Sequence, residues 1–523
     1  MKKYIIAFGF LSAIVSVTSC KKSAFEEFYR DPSKVSSTTI DKQFAGLFYN
    51  NRDLVVPSYG NYFVIMRNTT IRYLQATGWA NESNQLTPGG ASIGDRWNIY
   101  YGALAQYKEL EALYSKLSEV EQKQYRIFLL TAKIFFYDQT QQVVDLHGSI
   151  PWSKAGLLNS NGGDYTISKA PYDDAESIYT TMLDELKSIS DELNTITVES
   201  GILNGLKKQD IVNGGDITRW KQYCNSLRVR MLLRVSGASA FQARASAELG
   251  QIFGNSSTYP IVLADNENIQ IKVSDPTTPI SASGLKDALE SWNANIAGKK
   301  MVDMMKSTAD PRLRVMFEPG EKAGGVYNGL DQSLTSGVQT NLINGGTISI
   351  YNRSTYSRNQ YFPGILISAA EMNFALAEYY LKNGSTANAK TAFENGVKAS
   401  IEMLYKIRSV SNDNTVTAPA APTTAEINTY INNLNWAAAS DKMQLVATQK
   451  WLHFNIIQPM QSWAEVRRLD YPTFSFVVQA SDIQKTPPVK WNLPASEVNF
   501  NTENYAAVKA QDNVNTKLFW DVN

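Results

Sequence analysis

Apolar side chains recur every three or four residues over long stretches of this chain, and that spacing constrains its fold more than any other feature. Residues 95–117 (DRWNIYYGALAQYKELEALYSKL) and 119–146 show it clearly, with Tyr125, Phe128, Leu129, Ala132, Phe135 and Phe136 on one stripe. They predict two antiparallel helices joined by a short turn near Ser118. Ala175, Ile178, Tyr179, Met182, Leu183, Leu186 and Ile189 predict a third helix, opened by the turn at 171–174 and an acidic first turn. After the glycine-rich joint Asn213-Gly214-Gly215, Asp216 is placed to cap a helix over WKQYCNSLRVRMLLRVS. Helices resume at Ile365, where Ile365, Ala369, Met372, Leu376 and Tyr379 form one face. Asn383-Gly384 ends that helix and Ser385 opens the next, with Ala389, Ala392, Phe393, Gly396, Val397, Ser400, Ile401 and Leu404 in register. Two more helices are expected, at 438–458 and about 461–469. The expected fold class is mainly α: tetratricopeptide-like helical pairs supporting a loop-rich, irregular half with short strands.

That irregular half is the stretch from about 254 to 363. It is dense in Gly, Pro, Ser, Thr and Asn, with short β-type runs at 261–263, 269–273 and 347–351 and short helical pieces at 285–306. A loop-rich zone of that length inside a folded protein is uncommon unless it is functional or disordered. Residues 411–424 (SNDNTVTAPAAPTT) read as a polar surface loop.

The chain begins MKKYIIAFGFLSAIVSVTSCKK. Lys2 and Lys3 precede an apolar run over 4–17, and the small residues Thr18 and Ser19 lead into Cys20, the layout of an export signal. Small residues followed at once by Cys resemble a bacterial lipobox, in which that Cys is lipidated and starts the mature protein. The apolar run is shorter than the roughly 20 residues that a membrane span needs. The expected organisation is a lipoprotein signal peptide at 1–19, the lipidated Cys20 and a polar leash at 20–39, and the folded body at 40–523. The chain has two Cys, so the body holds only Cys224 and its stability must come from core burial. With 50 basic and 49 acidic residues there is no electrostatic case for nucleic acid. The 27 Tyr, 21 Phe and 10 Trp stand against only two His, which favours aromatic binding surfaces over acid–base catalysis.

Gly90-Ala91-Ser92-Ile93-Gly94 matches G-x-S-x-G, but a nucleophile elbow needs a strand before it and NQLTPG reads as a turn. In the same loop Trp79, Asn81, Asn84 and Gln85 set an aromatic face beside amides, a mix that can stack on a sugar ring and bond its hydroxyls. His147 and His453 lie on apolar helical faces without a neighbouring His or Cys, and read as structural. Arg228, Arg230, Arg234, Arg467 and Arg468 sit on core-facing helices, where buried carboxylate or carbonyl pairs are expected. Cys224 reads as a small buried side chain. No metal-binding, P-loop or dinucleotide string occurs.

Several strings agree in order: the lipobox-like start, the aromatic helix into VVDLHGSIPW, GGDITRWKQYCNSLRVRMLLRVS, Thr308-Ala309-Asp310-Pro311-Arg312, ILISAAEMNFALAEYYLKNG, QKWLHFNIIQPMQSWAEVRRLDYP and VKWNLPASEVNFN. Together they resemble the SusD/RagB family of Bacteroidetes outer-membrane nutrient-binding lipoproteins, in its SusD-like branch. Length alone suggests two to four domains; the resemblance implies one interwoven domain over 40–523. It also implies a non-enzymatic, cell-surface lipoprotein, lipid-anchored at the outer membrane. Such a protein would hand an oligosaccharide, or a peptide, to a SusC-like TonB-dependent barrel. No cofactor or metal is expected, and no D-x-[DN]-x-[DN]-G loop argues for Ca²⁺. No residue-level motif transfers, so the expected ligand-binding residues come from loop composition: Trp79, Asn81, Asn84 and Gln85, with Tyr327, Tyr351, Tyr356 and Tyr361. The competing readings are an exported hydrolase of glycans or esters, using Ser92 or a carboxylate pair, and a non-binding helical-repeat scaffold.

Overall fold

A computed structural model describes residues 38–523 of the protein. The expected signal peptide, Cys20 and the leash up to residue 37 lie outside the described residues.

Helix α1 (Ile40–Val55) turns Phe44, Leu47 and Phe48 inward against α2 (Gly90–Ser115), and α2 lies against α3 (Glu119–His147). The turn between α2 and α3 follows from Ser118, whose hydroxyl accepts from the Glu121 N–H while the Glu121 carboxylate accepts from the Ser118 N–H at 2.9 Å. Phe44 meets Phe128 edge-on at 5.2 Å and Phe48 meets Phe135 at 4.4 Å, joining α1 to α3. Beyond α3, strand β1 (Ile150–Pro151) pairs antiparallel with β2 (Tyr172–Asp173). Helix α4 (Ala175–Leu193) starts on Asp174, which accepts from the Glu176 and Ser177 N–H groups, and α5 (Ile217–Val235) starts on Asp216 in the same way. The two pack together and α6 (Gln242–Gly254) follows.

The loop-rich zone then contains β3 (Ile269–Ile271), α7 (Lys299–Thr308), β4 (Phe317–Glu318), α8 (Ser336–Asn344) and β5 (Ile350–Tyr351). Strand β4 pairs antiparallel with β5, and β3 pairs antiparallel with β6 (Gly364–Ile367). Two expectations are corrected here. The run at 261–263 joins no strand. Ile365 is not the first residue of a helix but part of β6, and helix α9 (Ala369–Lys382) begins four residues later, on Ser368, whose hydroxyl accepts from the Glu371 N–H. All four β6 residues are buried, and a short wholly apolar run cannot be told from a helix face by periodicity alone.

Helix α9 and α10 (Thr386–Ser409) form the expected hairpin. Their spacing depends on Gly396, where a Cβ would fall 2.5 Å from Phe374 Cε1, so no other residue lets the two helices come so close. Helices α11 (Lys442–Phe454) and α12 (Pro459–Leu469) follow, the segment after them adds Trp491 and Trp520 to the cores, and none of the described helices is long and apolar enough to cross a membrane.

Buried ion pairs tie these helices together. Arg230 of α5 donates twice to Glu371 (2.6 and 2.8 Å) and once to Asp138 of α3 (2.9 Å). Arg234 pairs with Asp145 at 2.9 Å, and Arg228 with Glu248 at 2.8 Å. Arg468 and Lys450 share Glu378 and Glu465 at 2.6–2.9 Å. Arg467 instead donates to the Val489, Asp145 and Trp463 carbonyls. Each pair fixes which turn of one helix meets which turn of the next. Cys224 is fully buried, its thiol donates to the Leu186 carbonyl at 3.3 Å, and burial pushes its pKa up to about 12. The apolar side chains form one large cluster among the helices and a second beneath the loop-rich half, built on Trp451, Trp463, Trp491, Met301, Met305 and Phe317.

Candidate functional site

Above the second cluster lies a cleft of about 430 Å³ whose lining is drawn from distant segments. The π-helical stretch Gly60–Met66 contributes Phe63, and the residues after it contribute Arg67, Asn68 and Arg72. The 77–82 loop contributes Trp79 and Glu82, the kink at 292–294 contributes Trp292 and Asn293, and α8 contributes Ile343. The back wall is tight at Gly78. Its N–H donates to the Ile296 carbonyl at 2.8 Å, and a Cβ there would lie 2.9 Å from both Ile296 Cγ2 and Leu330 Cβ.

Trp292 dominates the cleft. It is 80% exposed, and its backbone sits at φ 56°, ψ 32°, the left-handed region that a bulky side chain rarely adopts. Asn293 follows at φ 54°. The Arg67 guanidinium donates to the Trp292 carbonyl at 2.8 Å and lies over the Phe63 ring at 4.8 Å, which holds the strained turn in place. Strain of this kind persists only where the surrounding contacts over-determine it. The indole stands in water with a face free for a ligand. Burial, and after it the nearby charge of Arg72, hold the Arg67 pKa below the usual guanidinium value.

The expected site residues are placed as follows. Trp79 does line the cleft, yet it is only 9% exposed; Arg72 lies over its ring at 5.2 Å and Phe476 stacks on it at 6.5 Å. It is a wall more than a platform. The amides beside it are engaged in holding the loop. Gln85 accepts from Trp79 Nε1 at 2.7 Å and donates to the Val477 carbonyl at 2.6 Å. Asn81 donates through Nδ2 to the Gln332 and Leu334 carbonyls at 3.0 Å. Asn84 accepts from the Ile483 N–H and donates its own N–H to Asp482, both at 2.8 Å. They latch the loop to 332–339 and 477–483 and so position Trp79.

None of the four expected tyrosines lines this cleft. Tyr351 and Tyr356 are each 1% exposed, and the Tyr351 hydroxyl donates to the Ala76 carbonyl at 2.7 Å. The expectation that their rings serve as ligand platforms is corrected: both are core, packed edge to face at 5.2 Å. Tyr327 is half-buried against the second cluster. Tyr361 lines a separate cavity of about 290 Å³ with Gln270, Lys272, Met403 and Lys406. Loop composition could not distinguish these cases, because exposure depends on which chain segment lies over each ring. Trp292 was not legible as a site residue: with Leu285, Ala288 and Leu289 it continues a three-and-four spacing that reads as a core face, and only the left-handed turn at 292 carries it out to solvent.

Ser92 lies in the first turn of α2, so its string is a helix start and not a strand–turn–helix elbow; its hydroxyl donates to the Val64 carbonyl at 2.7 Å. Neither histidine bonds to it. His147 bonds the Asn492 carbonyl at 2.9 Å, and His453 lies between the Ser368 and Ser400 hydroxyls at 2.7 and 3.1 Å. Among the described residues no group of three His, Cys, Asp or Glu side chains could hold a metal ion.

Residues 35–494 match the profile of a family, SusD-like, described as starch-binding and associating with the outer membrane. The chain belongs to the SusD-like family. Solved structures agree with that assignment in fold. A SusD homologue from Bacteroides fragilis NCTC 9343 superposes with a TM-score of 0.74 at 17% identity, covering 92% of this chain and 100% of that one. A chitin-binding SusD homologue from Flavobacterium johnsoniae gives 0.70 at 22%, covering 92% and 99%. A further chitin-binding protein gives 0.73 at 18%, covering 93% and 100%. No curated protein matches the sequence. The SusD-like fold class expected from the sequence, mainly α with short strands, is the observed one.

Proposed function

We propose that this SusD-like protein is a cell-surface lipoprotein, anchored through Cys20, that captures an oligosaccharide in the Trp79–Trp292 cleft and passes it to a SusC-like TonB-dependent outer-membrane barrel. The observation that carries the binding site is Trp292: a solvent-exposed indole, held in a strained backbone turn on the rim of a polar cleft. An aromatic face of this kind stacks on the apolar face of a sugar ring, while Asn68, Asn293 and Arg67 supply hydrogen-bond donors beside it. The two similar structures described as chitin-binding support a glycan as the ligand class. The protein acts by binding and not by catalysis in this reading.

The test is calorimetry of the soluble body with a panel of oligosaccharides and peptides. Trp292→Ala is expected to weaken binding of the recognised glycan about 5- to 150-fold, the equivalent of about 1–3 kcal/mol of lost stacking by analogy with base–aromatic stacking, without changing the circular dichroism spectrum. Trp292→Phe should retain part of the affinity. Unchanged affinity in Trp292→Ala would remove this cleft as the site, and binding of peptides alone would replace the ligand class. Copurification of the full-length protein with an outer-membrane barrel tests the partner; recovery only with soluble proteins would sink that half of the proposal.

A further inference from the structure

The cleft holds two guanidinium groups with very different surroundings. Arg72 is spent: it donates to Glu82 at 2.7 Å, to Asn68 Oδ1 at 2.9 Å and to the Gln85 carbonyl at 3.1 Å. Arg67 meets no carboxylate among the described residues. One of its N–H groups goes to the Trp292 carbonyl, its plane rests on Phe63, and its other donors are left for the cleft. The lining carries Arg67 and Arg72 against a single carboxylate, Glu82, and that carboxylate sits on Arg72. By contrast Lys406, which lines the second cavity, is matched by Asp265 at 2.7 Å. An unmatched positive charge therefore stands half-buried beside the most exposed indole of the protein.

We infer that the ligand of this cleft is an anionic oligosaccharide, whose carboxylate or sulfate is taken by Arg67 while a sugar ring lies on Trp292. This rests on the proposal that the cleft binds a glycan, and narrows it. A neutral sugar would use Arg67 only as a donor to hydroxyls and leave its charge uncompensated between Phe63 and Arg72. An anionic group makes charge-assisted bonds in the planar geometry that guanidinium offers, and relieves the repulsion between the two arginines.

Pairs of oligosaccharides that differ only in charge test this by tryptophan fluorescence or calorimetry. The probes are tetragalacturonate and its methyl ester, and a chondroitin sulfate tetrasaccharide and its desulfated, carboxyl-reduced form. Chitotetraose and maltotetraose serve as neutral sugars and tetraglutamate as an acidic peptide. At least one charged sugar is expected to bind about tenfold more tightly than its uncharged twin, as charge-assisted bonds require. That advantage should shrink in high salt, vanish in Arg67→Met and survive in part in Arg67→Lys. The inference is overturned if uncharged twins or neutral sugars bind as tightly as charged ones, if Arg67→Met weakens both members of a pair equally, or if tetraglutamate is preferred. Loss of neutral-sugar binding in Trp292→Ala would still sustain the glycan proposal, whereas a wild-type protein that binds none of the sugars sinks both.

Discussion

At the scale of single residues, partners rather than burial separate arginines that the sequence presents alike. Arg230 neutralises Glu371 and Asp138 inside the helical half. Arg96 on α2 is equally enclosed, but none of its three guanidinium nitrogens meets a hydrogen-bond partner among the described residues, and burial pushes its pKa down to about 10. The two should answer substitution in opposite ways. Arg230→Met strands two buried carboxylates and is expected to cost about 3–5 kcal/mol, whereas Arg96→Met removes a charge with no close partner and should change stability by about 1 kcal/mol or less. Urea denaturation of both variants checks this, and an equal loss in the two would contradict it. The sequence placed Arg228, Arg230, Arg234, Arg467 and Arg468 on core-facing helices correctly. It could not name their partners, because Glu371 lies 141 residues beyond Arg230 and Glu378 lies 90 residues before Arg468.

At the scale of elements, local rules carried far. Ser118, Asp174 and Asp216 mark helix starts by a hydroxyl or carboxylate that accepts the first free N–H groups, and all three do so in the structure. The failures fall where packing outweighs periodicity: β6 replaces the first turn expected of α9, and α2 begins at Gly90, five residues ahead of its expected start. The 77–78 segment shows the same dependence on packing, since it is held by a backbone bond to Ile296 and by a bridge from Thr77 to Ala297 rather than by a regular strand. Gly78→Ala is expected to cost about 1–3 kcal/mol, because the added methyl meets Ile296 and Leu330 at the back of the cleft. The same variant should weaken ligand binding by displacing Trp79. A wild-type melting temperature together with wild-type affinity would show that this wall is not tightly packed.

At the scale of the whole molecule, stability is tied to pH through groups buried uncharged or in pairs. Burial pushes His453 down to about 3, with the charge of Arg312 adding to it. Burial also takes His147 to about 3, opposed by its bond to the Asn492 carbonyl and aided by Arg96 and Lys490. Both folded values lie below the unfolded value of about 6.5, so below that pH the unfolded chain binds the extra protons. Their contribution is complete above about pH 6.5 and declines toward pH 3, by up to about 1.4 kcal/mol per pH unit for each histidine. Burial alone would raise Glu378 and Glu465, but Arg468 and Lys450 outweigh it and hold both carboxylates low. Their stabilisation is present above about pH 4.3 and is lost as pH falls further. Denaturation at pH 7.5, 6 and 5 should show a steady fall, flattened in His453→Gln; a constant stability over that range would refute the neutral buried histidines. The proposed anchor acts at this scale too. Cys20→Ala should release the protein from the membrane fraction and reduce uptake while the body at 40–523 keeps its ligand affinity, since a leash raises only the effective concentration near its partner. Reduced affinity of the purified body would mean that the leash takes part in binding.

The helical framework, the mainly α class, the family resemblance and the expectation of export are legible in the chain alone, because these rest on periodicity, capping and ordered strings that neighbouring residues carry among themselves. Tertiary structure alone decided the cleft. Phe63, Arg67, Trp79 and Trp292 lie on segments with no shared period, and only packing determines that Tyr351 and Tyr356 are enclosed while Trp292 is left in water. The physical reason is that exposure is a property of what the rest of the chain lays over a side chain, and a local pattern does not contain it.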